Sequence, residues 1–239
     1  MKKFITALLS TIACVCNMHA QEYMIVEQKD GIKKDFKIND VDRVYFEARQ
    51  EPVQLTCPDS NHPHAIDLGL PSGTKWCCCN VGASRPEDYG GYYAWGETSE
   101  KSVYSEETYA FYDNYINIGS DISGTQYDVA HVRMGAPWRM PTFEQQMELM
   151  KYCTHVWTPQ NGVNGILVTG PNGGQVFLPA AGTRFYEDLV GAGSYGYYWS
   201  GSLYPCDDYY AYGLCIDSIG WLLDEGDRDI GHPVRPVCP

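Results

Sequence analysis

The chain has 239 residues, with 17 basic against 30 acidic side chains and a formal charge of −13 at neutral pH. That length suits one ordinary domain plus appendages. The acidic balance disfavours nucleic acid, whose binding needs a basic patch to displace counterions.

Residues 1–20 open on Lys2 and Lys3, run apolar from Phe4 to Val15 and end at Ala20 before Gln21. This is the pattern of a cleaved signal peptide, with an apolar run too short to span a bilayer. A lipid anchor at Cys14 or Cys16 is disfavoured, because Thr11 and Ala13 stand where such a signal prefers Leu. The mature chain is expected to be secreted, periplasmic or held at the cell surface, and not membrane-spanning. Loss of two lysines and no acid takes its charge from −13 to −15, which reads as solubility outside the cell. Eight cysteines remain: Cys57, Cys77, Cys78, Cys79, Cys153, Cys206, Cys215 and Cys238. An even number in an oxidising compartment reads as disulfides of undetermined connectivity. Cys77, Cys78 and Cys79 are adjacent and cannot all pair with one another, so at least two of their partners come from elsewhere.

Residues 21–48 read as a small β unit. Two β-prone pieces, 23–28 and 36–38, flank the hairpin signal Asp30-Gly31, and Val44-Tyr45-Phe46 is a third short apolar run. This is too little to fold alone. A polar linker with Pro52 covers 49–56, and the main domain occupies 57–239. Residues 65–70 alternate like a strand and turn at Pro71-Ser72-Gly73, and Lys75-Trp76 returns into the triple cysteine run. Ser84-Arg85-Pro86-Glu87 has the form of a capping box and predicts a helical turn over 87–89. Residues 91–97 read as a strand. From 98 to 134 no period survives, which predicts a long surface loop with a turn of helix near 106–112.

The clearest helix follows Pro141, with Thr142 as N-cap, Gln145 three residues on, and Phe143, Met147, Met150 and Cys153 at helical spacing. Short β-prone pieces then recur at 165–168, 175–178, 197–200, 210–216, 221–223 and 234–237, with Asn172-Gly173-Gly174 as a hairpin turn. Helices early and many short strands late describe an α+β domain with an antiparallel sheet. Seven tyrosines fall between Tyr195 and Tyr212, with Trp199 among them and acidic pairs close by. Such density suits a recognition surface or, alternatively, a core lined with rings.

Several blocks resemble a known family. They are His64 through Trp76 (HAIDLGLPSGTKW), Cys79-Asn80-Val81-Gly82-Ala83, Tyr93-Ala94-Trp95-Gly96-Glu97-Thr98, Trp138-Arg139-Met140-Pro141-Thr142, Phe177-Leu178-Pro179-Ala180-Ala181-Gly182 and the closing Val234-Arg235-Pro236-Val237. In this order, from about Cys57 to the C-terminus, they resemble the Fibrobacter succinogenes major paralogous domain of exported proteins in Bacteroides-type bacteria. The resemblance implies a C-type-lectin-like fold, in the subtype shared with formylglycine-generating enzymes and the variable proteins of diversity-generating retroelements. In those variable proteins a tyrosine-rich C-terminal surface binds ligands on a fixed scaffold.

Trp76, Trp95, Trp138, Arg139 and Arg235 are then expected to be scaffold, with Asp67 or Glu97 pairing a buried arginine. The strands at 196–200 and 234–237 would be core, leaving residues 203–231 free to recognise a partner, with Leu214, Ile216, Leu222 and Leu223 buried among them. The candidate surface is Tyr204, Asp207, Asp208, Tyr209, Tyr212, Trp221, Asp224, Glu225, Asp227 and Arg228, facing a protein or a glycan. The expected disulfides join Cys79 to Cys153 and Cys57 to Cys77 or Cys78.

No reaction can be read from the residues, and no cofactor is expected. Cys206 and Cys215 lie near the copper-binding pair of the formylglycine-generating enzymes, but their spacing is wider and the Arg-Tyr-Arg run of those enzymes is replaced by Ile216-Asp217-Ser218. The acidic stretch Asp224–Asp229 lacks the EF-hand order of ligands. Gly191 to Gly196 matches GxGxxG by letter, but a β-prone piece follows where a dinucleotide site needs a helix. His62 and His64 complete no zinc spacing unless Cys57 or one of Cys77–Cys79 is reduced.

Overall fold

The structure, a computed structural model, describes residues 23–27, 33–38, 57, 64–112 and 116–239. The signal peptide, the Asp30-Gly31 turn, the Val44-Tyr45-Phe46 run, the linker and His62 lie outside the described residues. The chain divides into two units, 1–49 and 50–239. The first contains β1 (Tyr23–Glu27) and β2 (Lys33–Lys37), paired antiparallel with Tyr23 opposite Lys37. The antiparallel pairing is the expected one, but β2 begins at Lys33, three residues before the expected piece at 36–38.

The second unit is α+β, built of small antiparallel sheets and two helices among the described residues. Neither helix is long and apolar enough to cross a membrane. β3 (Ala65–Asp67) and β4 (Lys75–Cys77) form the expected hairpin, and the C-terminal β13 (Val237–Cys238) pairs with β4 on its other side. A second sheet runs β5 (Thr154–Gln160), β6 (Val163–Thr169), β7 (Gln175–Pro179). Pro159, which has no N–H to give a ladder, sits on its edge strand. The Asn172-Gly173-Gly174 turn joins β6 to β7, with Thr169 opposite Gln175. β8 (Thr183–Phe185) and β9 (Asp188–Val190) form a small ribbon. The last sheet is β10 (Tyr195–Leu203), β11 (Tyr210–Asp217), β12 (Trp221–Asp227).

Side chains alternate across a strand, and here both faces of β10 and β11 are covered. Tyr198, Leu214 and Ile216 enter one core with Trp76, Leu149, Ile166 and Leu178. Tyr197, Trp199 and Ala211 enter a second with Tyr93, Trp95, Ile122 and Met140. The Tyr197 ring needs Gly213 beside it on β11, because a Cβ there would collide with the ring. Of the tail's tyrosines and tryptophans, Tyr197, Tyr198 and Trp199 are therefore core, and Trp221 packs partly buried against it.

The helix after Pro141 is α2 (Phe143–Tyr152), and its capping box forms: Gln145 N donates to Thr142 Oγ1 at 3.3 Å and Thr142 N donates to Gln145 Oε1 at 3.1 Å. Its buried face differs from the expected one. Gln146 and Leu149 are buried, while Met147 is 46% exposed. Gln146 is tolerated inside because its amide donates to the Tyr198 carbonyl at 3.0 Å. Thr142→Ala should cost about 1 kcal/mol through the lost cap, read as a lower denaturant midpoint at unchanged slope. An unmoved midpoint would show that the cap contributes nothing.

Other expectations are corrected. Residues 84–89 make turns without a helix, with Asp88 N donating to Arg85 O at 3.1 Å. Residues 91–97 run mostly without ladder partners and pair only through the Tyr93–His232 bridge. Residues 98–134 are not a surface loop, since Tyr104, Tyr109 and Ile122 are buried in them. The expected turn of helix near 106–112 forms as a 3-10 turn at Glu106–Thr108, and α1 (Val129–Met134), capped by Asp128, is an element the sequence did not suggest. Within 234–237 only Val237 joins a strand, although the whole segment is buried. Leu222 is half exposed and Leu223 only partly buried.

Trp76 and Trp95 are core, whereas Trp138 and Arg139 are half-buried. Arg235 is buried, but neither Asp67 nor Glu97 pairs with it. Glu97 pairs with Lys101 at 3.0 Å, and Asp67 is exposed. Among the described residues the eight cysteines form no disulfide with one another. Cys79 packs with Cys57, Cys77 and Cys78, whereas Cys153 belongs to the first core, so this packing does not favour the expected Cys79–Cys153 pair.

Candidate functional site

The turn 204–209 between β10 and β11 presents most of the expected surface. Its backbone is fixed locally: Tyr204 N donates to Tyr210 O at 3.0 Å, and the Asp207 carboxylate accepts from Tyr209 N at 3.0 Å. From beneath, Arg228 Nη1 donates to the Asp208 carbonyl at 2.8 Å and Arg228 N to the Tyr209 carbonyl at 3.1 Å.

The rings around this turn touch one another. Tyr204 lies edge-on to Tyr212 at 5.2 Å and to Tyr210 at 6.4 Å, and Tyr209 lies 6.4 Å from Tyr210. Phe143, the first residue of α2, closes the row at 4.2 Å from Tyr212. Across the β11–β12 ladder Tyr210 faces Asp227 and Tyr212 faces Glu225, so two carboxylates share the face of these rings. Tyr112 and Glu106 adjoin the same cluster: Tyr112 donates to Glu106 and lies near Tyr209.

The charges keep the phenols neutral. The Cys206 thiol and Glu225 beside Tyr204 raise its phenol, and Asp227 with Asp207 and Glu225 raises Tyr210. Asp227 is raised by burial and by Glu106. The result is a patch of phenolic rings set among carboxylates, with Tyr204, Tyr210 and Tyr212 half-buried and Tyr209, Asp207, Asp208 and Glu225 exposed.

Three expected members lie elsewhere. Trp221 starts β12, six residues from Asp227 and therefore roughly 20 Å away; it packs against His155 at 4.4 Å and on the first core. Asp224 pairs with Gly213 and projects to the opposite face, where its carbonyl accepts from Tyr197 Oη at 2.8 Å. Arg228 is buried: its guanidinium lies 4.8 Å over Trp95 and donates to Tyr109 Oη at 2.9 Å, so it supports the turn from inside. Strand alternation makes Tyr210 readable beside Tyr212. Nothing local marks Phe143, Tyr112 or Glu106.

Cys206 sits in the exposed turn, while Cys215 lies five residues up β11 from Tyr210, roughly 16 Å along the strand, opposite Tyr197 and Leu222. The topology does not bring them together as a two-thiol centre. Gly191 to Ser194 form a turn leading directly into β10, which begins at Tyr195, so no helix follows the glycines. Two cavities, of about 510 and 680 Å³, lie away from the patch; the first is lined by Gly96, Glu97, Lys101, Phe111 and Tyr127. The aromatic patch is an open surface, whose form suits a macromolecular partner better than an enclosed small molecule.

Comparison of the chain with family models, with curated proteins and with solved structures gives no match.

Proposed function

We propose that this chain is an exported, non-catalytic binding module of C-type-lectin-like fold, akin to the major paralogous domain, and that the 204–209 turn with Tyr210, Tyr212 and Phe143 is its ligand surface. The observation that carries this reading is the contiguous row of rings bordered by Asp207, Glu225 and Asp227 and braced from below by Arg228. Rigid aromatic side chains give contact area at small entropic cost. The carboxylates favour a protein or glycan that presents cationic groups, which can sit over the rings as well as beside the acids.

Arrayed basic peptides and amino-sugar-containing glycans, probed with the full chain, test the reading. Tyr212→Ala and Tyr204→Ala should each weaken the best binder by about tenfold or more, as central aromatic contacts do. Added salt should weaken it further, mainly through the association rate. Binding that survives both substitutions in folded protein would refute the site.

The hairpin unit supports a second reading, a structural component tethered through residues 21–48. It is a unit of its own, and Ile25 is 61% exposed in it. Deleting 21–48 should release the protein from the cell surface under this reading and leave its location unchanged under the first.

A further inference from the structure

The triple cysteine run is brought into a different arrangement from the expected disulfides. Cys78 N donates to the His64 carbonyl at 2.9 Å, which folds residue 64 back over the end of β4. The sulfurs of Cys57, Cys78 and Cys79 then lie within 4.8 Å of one another; Cys77 is outside that group, and so is His64, which reaches it through Cys78 alone. Cys78 Sγ is 3.4 Å from Cys79 Sγ and 3.4 Å from His64 Nδ1. All three thiols are buried. A disulfide needs sulfurs about 2.05 Å apart and uses only two of them. Three thiols and an imidazole are instead the Cys₃His donor set of structural zinc, whose sulfurs about 2.3 Å from the ion stand roughly 3.8 Å apart.

The charge around the cluster agrees. Arg235 is buried, yet its guanidinium donates only to neutral oxygens: Asn80 Oδ1 at 2.7 Å and the carbonyls of Cys77, Cys78 and Pro86 at 3.1, 2.6 and 3.4 Å. A buried cation calls for a compensating anion. Three thiolates and one imidazole around Zn²⁺ carry a net charge of −1, placed where Arg235 holds the two carbonyls of the run. A route exists, because the cavity of about 680 Å³ lined by Ile66, Glu87, Gln160 and Asn161 reaches Cys78.

We propose that Cys57, Cys78, Cys79 and His64 form a tetrahedral Zn²⁺ site that ties the start of the domain to β4, independently of the aromatic surface. The full chain, reduced under inert gas, is titrated with Co²⁺ and then Zn²⁺. One equivalent of Co²⁺ should give thiolate-to-metal charge-transfer bands and the intense visible bands of tetrahedral cobalt, and Zn²⁺ should abolish both. Cys57→Ser, Cys78→Ser and Cys79→Ser should each weaken Zn²⁺ by about 100-fold or more, while Cys77→Ser retains it. Cys78→Ser buries a hydroxyl and can unfold the domain. His64→Ala is therefore the second variant: it changes a half-buried side chain and should alter the cobalt spectrum in folded protein. Absence of stoichiometric binding, an octahedral spectrum, a spectrum unmoved by His64→Ala, or recovery of the native protein with Cys57 linked to Cys78 or Cys79 would overturn the site. Preferential Cu⁺ retention over Zn²⁺ would overturn its assignment to zinc.

Discussion

Arg228→Ala is expected to destabilise the domain by about 3–5 kcal/mol, a fall in Tm of about 10 °C. The side chain is 1% exposed and its guanidinium donates to Tyr109 Oη, to the Asp208 carbonyl at 2.8 Å and to the Ile116 carbonyl at 3.3 Å. It also lies over the rings of Trp95 and Tyr109. Truncation opens a cavity beneath those rings and removes three hydrogen bonds at once, the one to Tyr109 Oη fully buried. Because the Asp208 contact is one of the ties holding the 204–209 turn, ligand binding should fall together with stability. Arg228→Lys keeps the charge but loses the planar fork, so it should recover only part of the stability. A melting temperature within about 2 °C of the wild type in Arg228→Ala would show that the turn is held by its own hydrogen bonds.

The second large effect is acid destabilisation through His232. Its ring is buried between Tyr197, at 4.2 Å, and Trp199, at 4.4 Å, and Nδ1 meets Thr183 Oγ1 at 2.8 Å. Burial among these groups pushes its pKa down to about 3. In the unfolded chain the ring titrates near an ordinary pKa of about 6.5. The folded state therefore binds fewer protons, and the contribution is fully present above about pH 6.5 and lost as pH falls towards 3. At pH 4.5 the loss is about 2–3 kcal/mol. Asp128, Asp227 and Asp229 are raised by burial and act in the opposite sense, since acid relieves the cost of their buried charge. The comparison that isolates His232 is with His232→Gln, which keeps a polar group for Thr183 and removes the titration. The stability difference between wild type and variant should shrink from pH 7 to 4.5. A difference independent of pH would show that the ring is protonated without unfolding.

The local motifs were legible wherever a few neighbouring residues decide the backbone. Thr142 and Gln145 satisfy each other's end of the helix, and Asn172-Gly173-Gly174 turns β6 into β7, because those bonds close within three or four residues. The buried face of α2 was misread because Gln146 is polar and its partner, the Tyr198 carbonyl, is 52 residues away. Residues 98–134 were misread for a related reason. Tyr104 and Tyr109 look like surface rings in a polar stretch, but their hydroxyls donate to the carbonyls of Tyr92 and Trp95 inside the domain. Arg228 lies in the 203–231 stretch expected to face a ligand, yet it is buried, because its partners Tyr109, Asp208 and Ile116 come from distant parts of the chain.

By itself the sequence determined the antiparallel α+β character, the capped helix, the hairpins and a tyrosine-rich tail, since periodicity and turn chemistry act over short distances. Only the tertiary structure decided which tyrosines are core and which are surface. Tyr197 and Tyr198 are adjacent and point into two different cores, while Tyr204, Tyr210 and Tyr212 gather with Phe143 from another element. It likewise decided that His64 and Cys57 meet Cys78 and Cys79 while Cys153 lies in another core. Both outcomes depend on which strand pairs with which. That choice is set by burying two apolar faces at once, and no local window of residues contains both.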